Sequence, residues 1–176
     1  MLKKTKVPAF YEHKNGLPHA ERMLQGPFAL IECYQRIPCD PCQYACPREA
    51  IKTFQDINDL PEIDYDRCNG CGRCLSKCPG LAIVIIDSTF SLQEGLVKIP
   101  FEFLPLPVAG DVVEALNREG RVVCRARVLK VENAQWQDRT PVIWLTVPKE
   151  HVLDVRNLRL IQGDERDGGR YNCLPL

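Results

Sequence analysis

RCNGCGRCLSKCPG, residues 67–80, places four cysteines and a proline in fixed order: Cys68-x2-Cys71-x2-Cys74-x3-Cys78-Pro79. Three thiolates on one tight loop can reach three irons of a single cubane, and the short spacers keep the chain wrapped round it. The fourth cysteine, one helical turn further, points away from that loop and toward a second centre. Pro79 ends the turn and fixes the exit of the chain. Gly70 and Gly72 are expected to relieve crowding where backbone passes close to inorganic sulfide. Zinc would instead ask for four ligands in a tetrahedron, usually as two separated pairs.

An earlier stretch, IECYQRIPCDPCQYACPREAI (residues 31–51), carries part of the same pattern. Laid over the later run, Cys39, Cys42, Cys46 and Pro47 fall on Cys71, Cys74, Cys78 and Pro79, and at the same offset Ala50-Ile51 fall on Ala82-Ile83. Such a repeat implies two similar half-units related by a pseudo-two-fold axis. Each half reads as a loop, a short helix and a strand, AIKTF in the first and LAIVIID in the second. PEIDYD, ahead of the second loop, reads as the strand that closes the first hairpin. Where the first half should have its opening cysteine it has Arg36; Cys33 stands three residues earlier.

Over residues 31–88 these features resemble the bacterial two-cluster ferredoxins. The resemblance implies a ferredoxin-like fold with two [4Fe–4S] clusters whose fourth ligands cross over. Carried onto this chain, cluster II takes Cys68, Cys71, Cys74 and Cys46, while cluster I takes Cys39, Cys42 and Cys78. Cys33 is expected to complete cluster I through a Cys-x5-Cys-x2-Cys run. Two alternatives stay open: a three-iron centre with Cys33 as a bystander, and Arg36 as a charge partner that binds no iron. The first motif also resembles small iron–sulfur subunits of flavin-dependent amine and amino-acid dehydrogenases that oxidise proline or hydroxyproline. That resemblance implies FAD on partner subunits, not on this chain, with a further iron–sulfur subunit as a possible companion.

The rest of the 176-residue chain follows from other signals. Eight of the ten cysteines lie between Cys33 and Cys78, leaving Cys124 and Cys173 apart. Residues 1–30, with several prolines and glycines, read as an extended arm. From residue 95 to 162, short strands alternate with turns. RVVCRARVLKVE alternates Val122, Cys124, Ala126 and Val128 against Arg121, Arg125 and Arg127, as a half-buried strand does. PVIWLTV is apolar on both faces and reads as a central strand. A single helical turn before RNLRLI completes a pattern resembling a small SH3-like barrel. The expected class is therefore α+β: a two-cluster domain at 31–90, a barrel at 95–162 and a tail at 163–176.

Charge is balanced, with 23 basic and 23 acidic residues, so no general attraction to nucleic acid or membrane is implied. The opening MLKKTKVPAF lacks the apolar core of a secretory signal. Clustered cysteines in such a chain indicate metal binding in a reducing, cytoplasmic setting. No nucleophile–base pair, phosphate loop or dinucleotide fingerprint is present, so no catalytic residue is expected. The expected role is single-electron transfer within a dehydrogenase complex. The rival is a redox-sensing regulator whose barrel binds nucleic acid or a protein.

Overall fold

A computed structural model describes residues 16–161. Most of its regular structure is strand: β1 (Phe28–Ile31), β2 (Ile83–Asp87), β3 (Glu94–Pro100), β4 (Val112–Leu116), β5 (Val122–Glu132), β6 (Val142–Pro148) and β7 (Asn157–Leu160). All belong to one antiparallel sheet in the order β1-β2-β3-β6-β5-β4-β7. Among the described residues helix is limited to α1 (Ala20–Met23), α2 (Pro41–Ala45), α3 (Arg73–Ser76) and two 3-10 turns at Gln135–Gln137 and Lys149–His151.

FALI and IVII, in β1 and β2, are apolar at every position because both faces are covered. Phe28, Leu30, Val84 and Ile86 point into a core shared with the other strands. Ala29, Ile31, Ile83 and Ile85 point the other way, into a smaller core with Cys42, Cys74 and Leu75. The sheet is thus the wall between a β core and the cysteine loops.

The larger core contains side chains from both edges, Phe28 of β1 and Leu158 of β7. The sheet therefore curls around it. Its edges are tied by side chains: Glu32, just past β1, accepts hydrogen bonds from Arg118 and from Arg156 Nε and Nη2 at 3.0 and 2.8 Å.

The run of short strands expected from about residue 95 is present as β3 to β7, with a 3-10 turn ahead of the last. β6 is central, pairing with both β3 and β5, and Cys124, Ala126 and Val128 are buried while Arg121, Arg125 and Arg127 are exposed. These strands do not form a sheet of their own, however. β2 pairs directly with β3, so the expected boundary at 90–95 falls in a turn of a continuous sheet.

Residues 16–30, read as extended arm, are partly ordered elements instead: α1, a turn through Gly26-Pro27, and most of β1. The arm reading failed because four apolar residues gave no room for alternation to show. Residues 1–15 of the arm, the tail from 163 and Cys173 lie outside the described residues.

Candidate iron–sulfur site

The two halves of the cysteine region fold alike, bond for bond. In α2 the Gln43 N–H donates to Asp40 O and Cys46 N–H to Gln43 O; at the matching positions around α3, Leu75 N–H donates to Gly72 O and Cys78 N–H to Leu75 O. After each Cys-Pro step the chain turns through a left-handed residue, Glu49 (φ 49) and Leu81 (φ 51). Their N–H groups donate to Cys46 O and Cys78 O, both at 3.1 Å. One residue later the backbone N–H of Ala50 reaches Cys46 Sγ at 3.3 Å, and that of Ala82 reaches Cys78 Sγ at 3.4 Å. The strand pairing repeats as well: Ile31 opposes Ile83 in β1–β2, and Ile51 opposes Ile63 in a lone bridge. AIKTF and PEIDYD therefore do meet, but over one bridge rather than a full hairpin.

The thiols fall into two groups by the charges that act on them. Cys42 is pushed up to about 12, first by burial, then by negative charge on Cys78, Cys39 and Cys33. Cys33 is raised by burial, then by Cys78 and Cys39. Cys39 is raised by burial, then by Cys78 and Asp40. The first group is thus Cys33, Cys39, Cys42 and Cys78. In the second, Cys74 is raised by burial and then by Cys68, Cys46 and Cys71, with Cys42 a lesser contributor.

Cys46, Cys68, Cys71 and Cys74 line one hollow, whose other walls include Ala29, Ile51, Ile63 and Ile85. Among the described residues no Cys, His, Asp or Glu side chains converge as tightly as a single metal ion requires. Thiols held protonated by burial and neighbouring negative charge, as Cys33, Cys39, Cys42 and Cys74 are, are the reverse of a reactive cysteine site. A polynuclear iron core supplies positive charge that reverses this, and binding expels the thiol protons. Sulfur ligands, apolar walls and N–H groups aimed at Sγ fit an iron–sulfur cluster.

Residues 32–89 match the family described as the LdpA Fe-S cluster-binding domain. The ferredoxin-type protein NapF of Haemophilus influenzae is 34% identical over 84 residues, 47% of this chain and 46% of that protein. The pyruvate synthase subunit PorD of Methanocaldococcus jannaschii is 43% identical over 73 residues, 42% of this chain and 83% of PorD. The chain belongs to the ferredoxin-type iron–sulfur proteins. A subunit of the Na(+)-translocating ferredoxin:NAD(+) oxidoreductase complex of Acetobacterium woodii is 33% identical over 57 residues, 32% of this chain and 16% of that subunit. The chain thus spans about half of NapF and a small part of the Acetobacterium woodii protein. No solved structure matches it.

Within this ferredoxin-type chain some residues acquire roles that the sequence did not announce. Gly70 (φ +63) lies against β1's entry: a Cβ there would stand 2.6 Å from Pro27 Cβ and 2.7 Å from its carbonyl carbon. Close approach to the Pro27 backbone gives this glycine a structural reason of its own, while Gly70 and Gly72 also line the cysteine hollow. Arg36 turns outward to Asp59 at 3.4 Å. Cys124 is core packing, 3% exposed. Among the described residues no helix is long and apolar enough to cross a membrane.

Proposed function

We propose that this chain is an electron-transfer subunit holding two [4Fe–4S] clusters, one on Cys33, Cys39, Cys42 and Cys78, the other on Cys46, Cys68, Cys71 and Cys74. What supports the crosswise reading is that Cys46 lines one hollow with Cys68, Cys71 and Cys74, while Cys78 bears on the thiols of Cys33, Cys39 and Cys42. When bound, the clusters supply one-electron chemistry with little rearrangement. The chain's own residues set the spacing, exclude water with Ile51, Ile63 and Ile85, and place N–H groups on Cys46, Cys68 and Cys78. Such bonds tune the potential.

The partner reading is an oxidoreductase complex; PorD is a pyruvate synthase subunit, and the Acetobacterium woodii protein is a subunit of a ferredoxin:NAD(+) oxidoreductase complex. The narrower partner, an FAD-bearing dehydrogenase of amino acids or amines, rests on the form of the first motif. Little favours the regulator reading. On β5, Arg125 faces Glu114 across the strand pair, and Glu114 also binds Arg159 at 2.6 Å, so charge on this face is mixed.

Anaerobic affinity isolation tests both levels. The preparation should be brown, with about eight irons per chain and two four-iron signals on reduction. A colourless zinc protein would end the cluster reading; a coloured one without flavin-bearing companions would end only the narrower one.

A further inference from the structure

Arg22 is 9% exposed, yet it forms no ion pair among the described residues. Its guanidinium is instead clamped by four carbonyls: Nε donates to Tyr65 O at 2.8 Å, Nη1 to Gly26 O at 3.1 Å, and Nη2 to Pro27 O at 3.0 Å and to Cys68 O. Glu62, Asp64 and Asp66 line the adjacent hollow but none is within ion-pair distance. The carbonyls satisfy the N–H groups without cancelling the charge. A buried charge is costly unless an opposite charge answers it.

The candidate for that opposite charge to which Arg22 is directly hydrogen-bonded is the second cysteine group. Arg22 bonds the carbonyl of Cys68 itself, and Pro27, another of its acceptors, leads into Ala29, whose N–H donates to Cys68 Sγ at 3.3 Å. Four thiolates round an iron–sulfur core leave it net negative, more so after reduction. Among the described residues the repeat offers the first group no such buried cation. At the repeat offset the position matching Arg22 is Phe54, packed on the apolar core behind the loops. Arg36, close in sequence to Cys33, is 67% exposed and engaged by Asp59.

We propose that Arg22 is the buried counter-charge of the cluster held by Cys46, Cys68, Cys71 and Cys74, and that it raises this cluster's reduction potential above that of its twin. The inference rests on the two-cluster reading. It makes the second group the resting place of an electron within the chain, and Arg22 a positioning and charge-compensating residue rather than a ligand.

The test is a redox titration of the full holoprotein followed by electron paramagnetic resonance, with Arg22→Gln and Arg22→Lys beside the parent. The parent must first show two clusters; if it shows fewer, the two-cluster reading itself falls. In Arg22→Gln the higher of the two potentials should drop so that the reduced fraction at fixed potential falls tenfold or more, ~59 mV for one electron. The lower potential should stay. Arg22→Lys, which keeps the charge but not the fork, should stay within about twofold of the parent. Loss of one cluster in Arg22→Gln with both kept in Arg22→Lys also supports the proposal. Unchanged potentials in Arg22→Gln, an equal drop in Arg22→Lys, or loss of a cluster in Arg22→Lys would overturn it, leaving Arg22 as a pin between segments.

Discussion

Cys46 and Cys78 hold equivalent places in the two halves, each accepting a hydrogen bond from the backbone N–H of the alanine four residues on, at 3.3 and 3.4 Å. Each also stands beside thiols of the other half, as the proposed crosswise ligation requires. Double substitutions read this wiring directly. Cys46→Ala and Cys68→Ala should each lower iron from about eight to about four per chain, and the pair together no further. Cys46→Ala with Cys42→Ala should lose nearly all iron. If the loss instead followed sequence neighbours, so that Cys46 and Cys42 behaved as one site, crosswise ligation would be wrong.

The proposed ligand set puts Cys33 in the place where the repeat has Arg36. Its thiol feels Cys78 and Cys39, whereas Arg36 reaches out to Asp59. Cys33→Ala should therefore convert one four-iron signal into a three-iron signal, seen by electron paramagnetic resonance before any oxidant is added. Arg36→Ala should leave both signals alone and change stability by less than about 0.5 kcal/mol, as exposed ion pairs do. A parent-like spectrum from Cys33→Ala would return Cys33 to the role of bystander.

What could be read in advance follows from how local each signal is. Cysteine spacing and the offset between the two runs are short-range, and the two half-units fold as that offset requires. Alternation in β5 and the two-sided apolar run of β6 marked their strands for the same reason. β1 escaped because FALI has no alternation, being buried on both faces by segments far along the chain. The continuity of the sheet was hidden too, since it depends on β2 meeting β3 across a turn and on β3 meeting β6. Arg22 had no local signature; it is revealed only by its four carbonyl acceptors, of which those of Tyr65 and Cys68 lie far along the chain.

Gly70 joins the cluster loop to β1. Its φ of +63° disfavours a side chain, and a Cβ would collide with Pro27 Cβ at 2.6 Å and the Pro27 carbonyl carbon at 2.7 Å. Gly70→Ala should cost roughly 2–4 kcal/mol and lower occupancy of the second cluster before the first. Gly80→Ala is the control, because nothing lies within 4 Å of a Cβ there. Equal unfolding midpoints in denaturant for the two variants would show that Gly70 is not needed at that contact.

Glu32 closes the curl of the sheet, and its ionisation carries the pH dependence of that closure. Burial opposes the charged carboxylate, but the bonds from Arg118 and Arg156 outweigh it and hold Glu32 below its ordinary value of 4.5. A group whose folded value is lowered stabilises the fold fully above its unfolded value. That contribution fades as pH falls from about 4.5 through the folded value. Arg156 is 9% and Glu32 12% exposed, so Glu32→Gln leaves two guanidinium groups without their shared anion and should cost about 2–4 kcal/mol near pH 7. Denaturant unfolding at matched pH separates this from acid loss of the clusters, which both proteins share. The gap between parent and Glu32→Gln should be widest near pH 7 and narrow below about pH 4.5. A gap that stayed constant over that range would show that the clamp's worth does not lie in the carboxylate charge.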